Sequence, residues 1–138
     1  YTYSGHPVPA AVALETLKIY EERNIVGHVQ KVGPIMQAGL REFADHPLVG
    51  EVRGVGLLAG VEVMADGVNR QCFDPAAKVG PKIQALCEEN GLLIRAMGDS
   101  IGFCPPLIID EATIEKMLAQ FGKSLDQGLD WARQEGLV

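Results

Sequence analysis

The stretch GEVRGVGLLAGVEVM at residues 50–64 predicts the central strands of a small sheet, because its side chains alternate in character along the chain. We expect two strands, at residues 50–55 and 57–64, joined by a tight turn. The second strand places three small or β-branched residues on one face: Ala59, Val61 and Val63. The glycines of residues 54–60 have the spacing GxGxxxG and lead into a strand. A dinucleotide-binding loop leads into a helix, so these glycines indicate a turn.

Two helices are predicted ahead of this stretch. Pro7 suits the first position of a helix that runs to about Arg23. A second helix is expected at residues 24–44, because apolar side chains recur there every three or four positions. Its predicted buried face consists of Ile25, Val29, Val32, Met36, Leu40 and Phe43. The apolar phase continues across Pro34, so we expect a kink within one helix.

The chain after the stretch adds a helix, a hairpin and a last helix. Asp74 is a good N-cap for the third helix, with Pro75 at its first position. Residues 92–96 and 101–104 predict a β-hairpin, and Asp110 caps the final helix. This order of helices and hairpins predicts an α+β fold, with a small antiparallel sheet and helices packed on one face.

Composition restricts the function. The 138 residues are 47% hydrophobic and 22% charged, which is typical of a globular chain with a core. A formal net charge of -6 argues against a nucleic-acid partner and against a polybasic membrane contact. The apolar run at residues 8–14 is too short to span a bilayer. Three separated cysteines suggest neither a disulfide framework nor a zinc site, and a reducing cytoplasm is the default expectation.

Arg95 is the most suggestive single residue. Strand alternation turns it away from Leu92, Ile94 and Ala96, at the end of a strand and just before a glycine-containing turn. A guanidinium can grip a carboxylate through two parallel charge-assisted hydrogen bonds. The alternatives are a solvent-exposed arginine or a structural ion pair.

The opening segment YTYSGHP at residues 1–7 is rich in hydroxyl groups and leads into a helix. Hydroxyls and free backbone N–H groups at a helix N-terminus can hold a phosphate, and ordinary helix capping is the alternative. We expect His6 to cap or pack and Cys104 to be a buried structural thiol. A thiol or serine hydrolase using Cys104 or Ser4 is a weaker hypothesis, because Cys104 has no nearby histidine in the sequence.

Three stretches in register resemble one enzyme family. They are TYSGHPV at residues 2–8, VRGVGLL at 52–58, and GLLIR at 91–95 followed by CPPL at 104–107. Together they resemble the C-terminal part of class III pyridoxal-phosphate-dependent aminotransferases, the omega-aminotransferase group. The resemblance implies the small C-terminal domain of a fold-type I enzyme at residues 24–138, with residues 1–23 as a helix linking from the large domain.

The resemblance also implies roles for single residues. Thr2 would hydrogen-bond the phosphate of pyridoxal 5'-phosphate in the active site of the partner subunit of a homodimer. Arg95 would bind a substrate carboxylate and swing away for substrates that lack one. Tyr1 would lie near that site, and Arg53 would be structural.

The implied reaction transfers an amino group from an amine or omega-amino acid to an α-keto acid such as pyruvate. In the family the Schiff-base lysine belongs to the upstream large domain, and none of the six lysines here lies in a matching context. We therefore expect these residues alone to be inactive, and to associate with themselves if they fold alone. A non-catalytic α+β binding or dimerisation module is the alternative from another functional class.

Overall fold

A computed structural model describes residue 2 and residues 4–138. The described helices and strands are α1 Pro7–Glu22, α2 Ile25–Arg41, β1 Val49–Val55, β2 Leu58–Val63, α3 Val79–Glu89, β3 Arg95–Met97, β4 Ser100–Phe103 and α4 Glu111–Gln134. Short 3-10 turns at Glu42–Asp45 and Pro75–Ala77 follow α2 and precede α3. Over the described residues, no helix is both long and apolar enough to cross a membrane.

The four strands form an antiparallel sheet in the order β1-β2-β4-β3, which confirms the predicted α+β class. One face of the sheet is buried, and it carries the residues that the alternation of β2 predicted, Ala59, Val61 and Val63. Ile101 and Phe103 of β4 continue this buried face. The β1–β2 connection is a tight turn with Gly56 at a positive φ of 57°, as the glycine spacing indicated.

Helices α2, α3 and α4 cover the buried face. Phe121 of α4 lies at the centre of the core, with its ring edge-on to Phe43 and Phe103 at centroid distances of 5.3 and 4.9 Å. The α2 face predicted from spacing is confirmed, since Val32, Met36 and Leu40 are fully buried. α2 runs through the exposed Pro34 as one helix.

α1 differs from the other helices, because none of its residues is buried. Val8, Val12, Leu14 and Leu17 are all more than half exposed. Asn24 joins α1 to α2 in a left-handed conformation and caps α2, with its side-chain oxygen accepting from the N–H of Gly27 at 3.3 Å.

Several predicted boundaries were wrong. The strand expected at residues 92–96 begins only at Arg95, because residues 92–94 have no strand partner among the described residues. The helix expected from Asp74 is a single 3-10 turn, since Lys78 adopts a left-handed φ of 52° and α3 starts at Val79. α2 ends at Arg41, where the chain tightens into the first 3-10 turn.

Candidate functional site

Arg95 lies on the open face of the sheet, where the sequence placed it. Leu92, Ile94 and Ala96 pack against the core, while Leu93 is 88% exposed and Arg95 is also exposed. The predicted alternation therefore holds even where no regular strand forms. Among the described residues, no carboxylate lies within ion-pair distance of Arg95, so the alternative of a structural ion pair does not apply within this chain.

A row of glycines separates Arg95 from a second arginine on the same face. Across the four strands, Arg95 pairs with Gly102, Gly102 with Gly60, and Gly60 with Arg53. A Cβ atom at Gly60 would lie 3.8 Å from the guanidinium of Arg53, and one at Gly102 would lie 3.4 Å from the terminal methyl of Met97. The side chains of Arg53 and Met97 therefore lie close to these glycines.

The two arginines differ in whether carboxylates lie beside them. The Nη2 atom of Arg53 donates to Glu62 at 3.0 Å and to the hydroxyl of Ser100 at 3.3 Å. Glu51 lies 3.8 Å from the Nη1 atom of Arg53 and also pairs with Arg70 at 3.2 Å. Arg53 is therefore already neutralised by neighbouring carboxylates. Its structural role agrees with what the family resemblance implied, and Arg95 is left as the guanidinium available to an anion.

The hairpin that carries Arg95 is fixed to α3 at two points. The side-chain oxygen of Gln84 accepts from the N–H of Ala96 at 2.8 Å, and the carboxylate of Asp99 accepts from the N–H of Gly80 at 2.8 Å. The carbonyl of Asp99 also accepts from the N–H of Val63 at 2.8 Å. Neither Asp99 nor Gln84 was predicted from the sequence to hold the hairpin. The available signal was that an edge strand needs a partner for its outward N–H groups.

The opening segment lies apart from the hairpin. Thr2 is exposed in a turn ahead of α1, and His6 caps the helix as predicted, with Nδ1 accepting from the N–H of Val8 at 3.3 Å. Within the described part of the chain, no hydrogen bond or ion pair joins the segment before α1 to the β3–β4 hairpin. The chain alone therefore does not combine Thr2 and Arg95 into one site. Tyr1 lies outside the described residues.

The expectation for Cys104 was wrong. Cys104 is exposed; it follows the last residue of β4 and lines a cavity of about 350 Å³. This cavity lies between residues 91–94 and α4, and its lining contains no histidine to pair with the thiol. Cys87 is the buried cysteine, and burial raises the pKa of its thiol.

Three of the six lysines have a charged or aromatic partner among the described residues. Lys31 pairs with Glu111 at 2.9 Å, Lys18 with Glu15 at 3.2 Å, and Lys82 lies 5.8 Å from the ring of Trp131. Lys78 lies outside the helices, because its left-handed conformation separates the second 3-10 turn from α3.

Comparisons with known proteins identify one enzyme family. The family model described as aminotransferase class-III matches residues 1–125. A relative, gamma aminobutyrate transaminase 3, chloroplastic, of Solanum lycopersicum, is 46% identical over 125 residues, which are 91% of this chain and 24% of that protein. An uncharacterized aminotransferase of Sinorhizobium fredii is 41% identical over 139 residues, covering 99% of this chain and 30% of its own.

Solved structures give the same result. The omega transaminase from Pseudomonas jessenii in complex with PMP superposes with a TM-score of 0.88 at 44% identity, over 95% of this chain and 29% of that one. A transaminase crystallised with L-ala gives a TM-score of 0.89 at 46% identity, over 96% of this chain and 31% of that one. The chain thus spans about a quarter to a third of the length of the relatives it matches. It belongs to the class III aminotransferase family.

Proposed function

We propose that this chain is the small C-terminal domain of a pyridoxal-phosphate-dependent transaminase that works as a homodimer. The reaction is amino-group transfer from an amine or omega-amino acid to an α-keto acid such as pyruvate. The observation that carries the proposal is Arg95, an exposed guanidinium without a carboxylate partner among the described residues, on a hairpin fixed to α3. Residues 1–23 would link this domain to the large domain upstream.

The chemistry of the substrates fits this arginine. Omega-amino acids and keto acids carry a carboxylate, and a planar guanidinium binds one through two parallel hydrogen bonds. Gamma-aminobutyrate, which the name of one relative includes, is such an omega-amino acid. An unpaired side chain on an open sheet face can also turn aside, which would admit amines that lack a carboxylate.

The residues at the start of the chain suit the phosphate group of the cofactor. The exposed turn at Thr2 offers a hydroxyl ahead of α1, and the first turn of α1 has no acidic residue to repel a phosphate. Thr2 would hold the phosphate in the neighbouring subunit's site. Pyridoxal phosphate supplies the electron sink for amino transfer. The lysine that binds it would come from outside these residues, so we expect this chain alone to be inactive.

The test is substitution of Arg95 in the full-length enzyme. The amino-donor half-reaction is followed in single turnover, so that the keto acid does not enter the measurement. With Arg95→Ala, we expect kcat/KM for an omega-amino acid to fall about 10- to 100-fold, as loss of charge-assisted hydrogen bonds implies. A simple amine without a carboxylate should change by less than about twofold, since it makes no such bond.

Arg95→Lys is the matched control, because it keeps the charge and removes the planar fork. Its kcat/KM for the omega-amino acid should lie between the values for wild type and Arg95→Ala. Equal losses for both kinds of donor would contradict the proposed role.

A non-catalytic binding or dimerisation module remains the second candidate, because α2–α4 and the sheet enclose a core without α1. The discriminating observation is the coding sequence ahead of Tyr1. A domain with a cofactor-binding lysine there supports the enzyme, and its absence supports the module.

A further inference from the structure

We propose that Gln84 of α3 is a positioning residue for Arg95, acting through the outer edge of β3. This inference rests on the proposed function, since it assigns a residue that fixes the pivot of the substrate-binding arginine. Gln84 contacts β3 through the backbone N–H of Ala96, the residue that follows Arg95, at 2.8 Å.

The location of β3 explains why it needs such a contact. β3 is a three-residue strand at the edge of the sheet, and β4 is its neighbour on one side. In an antiparallel pair, alternate residues direct their N–H groups away from the partner strand. Ala96 is such a residue, and it is half-buried, so its N–H group needs an acceptor from the protein. The side-chain oxygen of Gln84 provides one.

The orientation of the Gln84 amide is fixed by its own neighbour. Its Nε2 atom donates to the carboxylate of Glu88 at 3.0 Å, one helical turn further along α3. A carboxylate accepts and cannot donate, so it selects the nitrogen of the amide and leaves the oxygen for Ala96. Glu88, Gln84 and the β3 edge thus form one directed chain of hydrogen bonds.

A second hydrogen bond joins α3 to the β3–β4 hairpin. Gly80 and Gln84 are four residues apart and therefore lie on the same side of α3. Gly80 donates to Asp99 in the β3–β4 turn at 2.8 Å. A Cβ at Gly80 would clash with the carbonyl oxygen of Gly98, so the helix lies directly against the turn. The backbone of the hairpin is held, while the side chain of Arg95 remains exposed.

The functional consequence follows from how a guanidinium binds a carboxylate. Two parallel hydrogen bonds require the correct distance and plane, and a displacement of about 1 Å can cost up to about 100-fold in rate. A side chain that swings between two positions reaches each of them accurately only if its Cα stays in place. Losing the Gln84 contact should therefore impair carboxylate substrates selectively.

The experiment uses the full-length holoenzyme. Gln84→Met keeps the length of the side chain and removes the acceptor for Ala96. We expect KM for an omega-amino acid to rise about tenfold, with kcat and the kinetics of a simple amine within about twofold of wild type. Should Gln84→Met not fold, Gln84→Ala carries the same expectation. Glu89→Gln, on an exposed side chain of α3, is the control for altering the helix and should leave both substrates unchanged.

A rescue variant separates positioning from general damage. Gln84→Glu combined with Glu88→Gln exchanges the two side chains, so that a carboxylate oxygen accepts from Ala96 and the new amide donates back to it. This double variant should restore KM to within about threefold of wild type. In the Arg95→Ala background, Gln84→Met should have no further effect on the carboxylate substrate, because Gln84 acts through Arg95.

The two proposals fail in different ways. If Arg95→Ala affects both donors equally, the proposed function fails. If Arg95→Ala discriminates between the donors, but Gln84→Met changes neither or changes both equally, the role of Gln84 is overturned. Additive effects of the two substitutions on KM would overturn it as well.

Discussion

α1 and α4 contrast in how they use their apolar side chains. α4 buries eight residues along one side, Phe121 and Leu125 among them, and keeps charged residues on the other. α1 buries none, although apolar residues occur on all sides of its first turns. Apolar content therefore does not decide burial within this chain. A single apolar stripe matches one neighbouring layer, whereas a helix that is apolar all round needs protein on several sides.

The same contrast separates the two residues that are proposed to bind cofactor and substrate. Thr2 precedes α1, in a region we call the arm, comprising residue 2 and residues 4–24. Arg95 belongs to the body, residues 25–138, which contains every buried residue of the core. Contacts within the body hold the hairpin that carries Arg95. Thr2 precedes a helix that has no buried residue. The following predictions test that division, from the largest effect to the smallest.

Truncating the core of the body should have the largest effect. Phe121→Ala removes a fully buried ring that contacts two other aromatic rings, and should lower the free energy of unfolding by about 3–5 kcal/mol. Leu17→Ala in the arm, where the side chain is 59% exposed, should cost less than about 0.5 kcal/mol. Urea denaturation of this chain measures both. A comparable loss at Leu17 would show that α1 packs against the body.

The contact between α3 and the hairpin should be sensitive to one methyl group. In Gly80→Ala the new Cβ would meet the backbone of Gly98, which cannot move as a flexible side chain does, so about 1–3 kcal/mol should be lost.

Gly98→Ala is the matched control within the hairpin. It meets no atom within 4 Å and bears only the strain of a φ of 63°, about 1 kcal/mol. Thermal unfolding compares the two variants. A larger loss for Gly98→Ala would mean that the turn conformation, and not the helix contact, determines the stability of the hairpin.

A smaller effect is expected from acid, through His46 in the body. Burial lowers the pKa of His46, and nearby Arg133 lowers it further, while Asp126 at 3.5 Å partly opposes them. The unfolded chain therefore takes up this proton at a higher pH than the folded chain. Stability from this group is complete above its ordinary pKa of 6.5 and decreases as the pH falls below that value.

His46→Gln tests this prediction, because glutamine can still accept from the N–H of Leu48 and does not titrate. The variant should lose less stability than wild type between about pH 7 and pH 5, as measured by urea denaturation at each pH. Parallel curves for the two proteins would exclude His46 as the source of the acid sensitivity.

The sequence predicted what depends on local pattern. The alternation in β2 and the cap at Asp110 follow from neighbours along the chain, and both are confirmed. The direction of Arg95 was also predictable, because alternation survives in the irregular residues 92–94. The role of Arg95 came from the family resemblance and not from its position.

The missed features depend on residues distant in sequence. The strand boundary at Arg95 is where pairing with Gly102 of β4 begins. The start of α3 depends on Lys78 and on Asp99, which lies 19 residues away from the Gly80 that it caps. Gln84 looks like an ordinary polar helix residue until the edge of β3 is placed beside it. Cys104 was misjudged because cysteines are usually buried, whereas the end of β4 leaves this one open.

The exposed arm has a consequence for how the two regions respond to concentration. Contacts within the body are unimolecular and do not depend on how much protein is present. No described residue buries the side chains of α1. If a second molecule covers them, mass action governs the arm. Each tenfold rise in that molecule above its dissociation constant would then add about 1.4 kcal/mol to the ordered state of the arm and nothing to the body. Dilution would release the arm while the hairpin of Arg95 stayed in place.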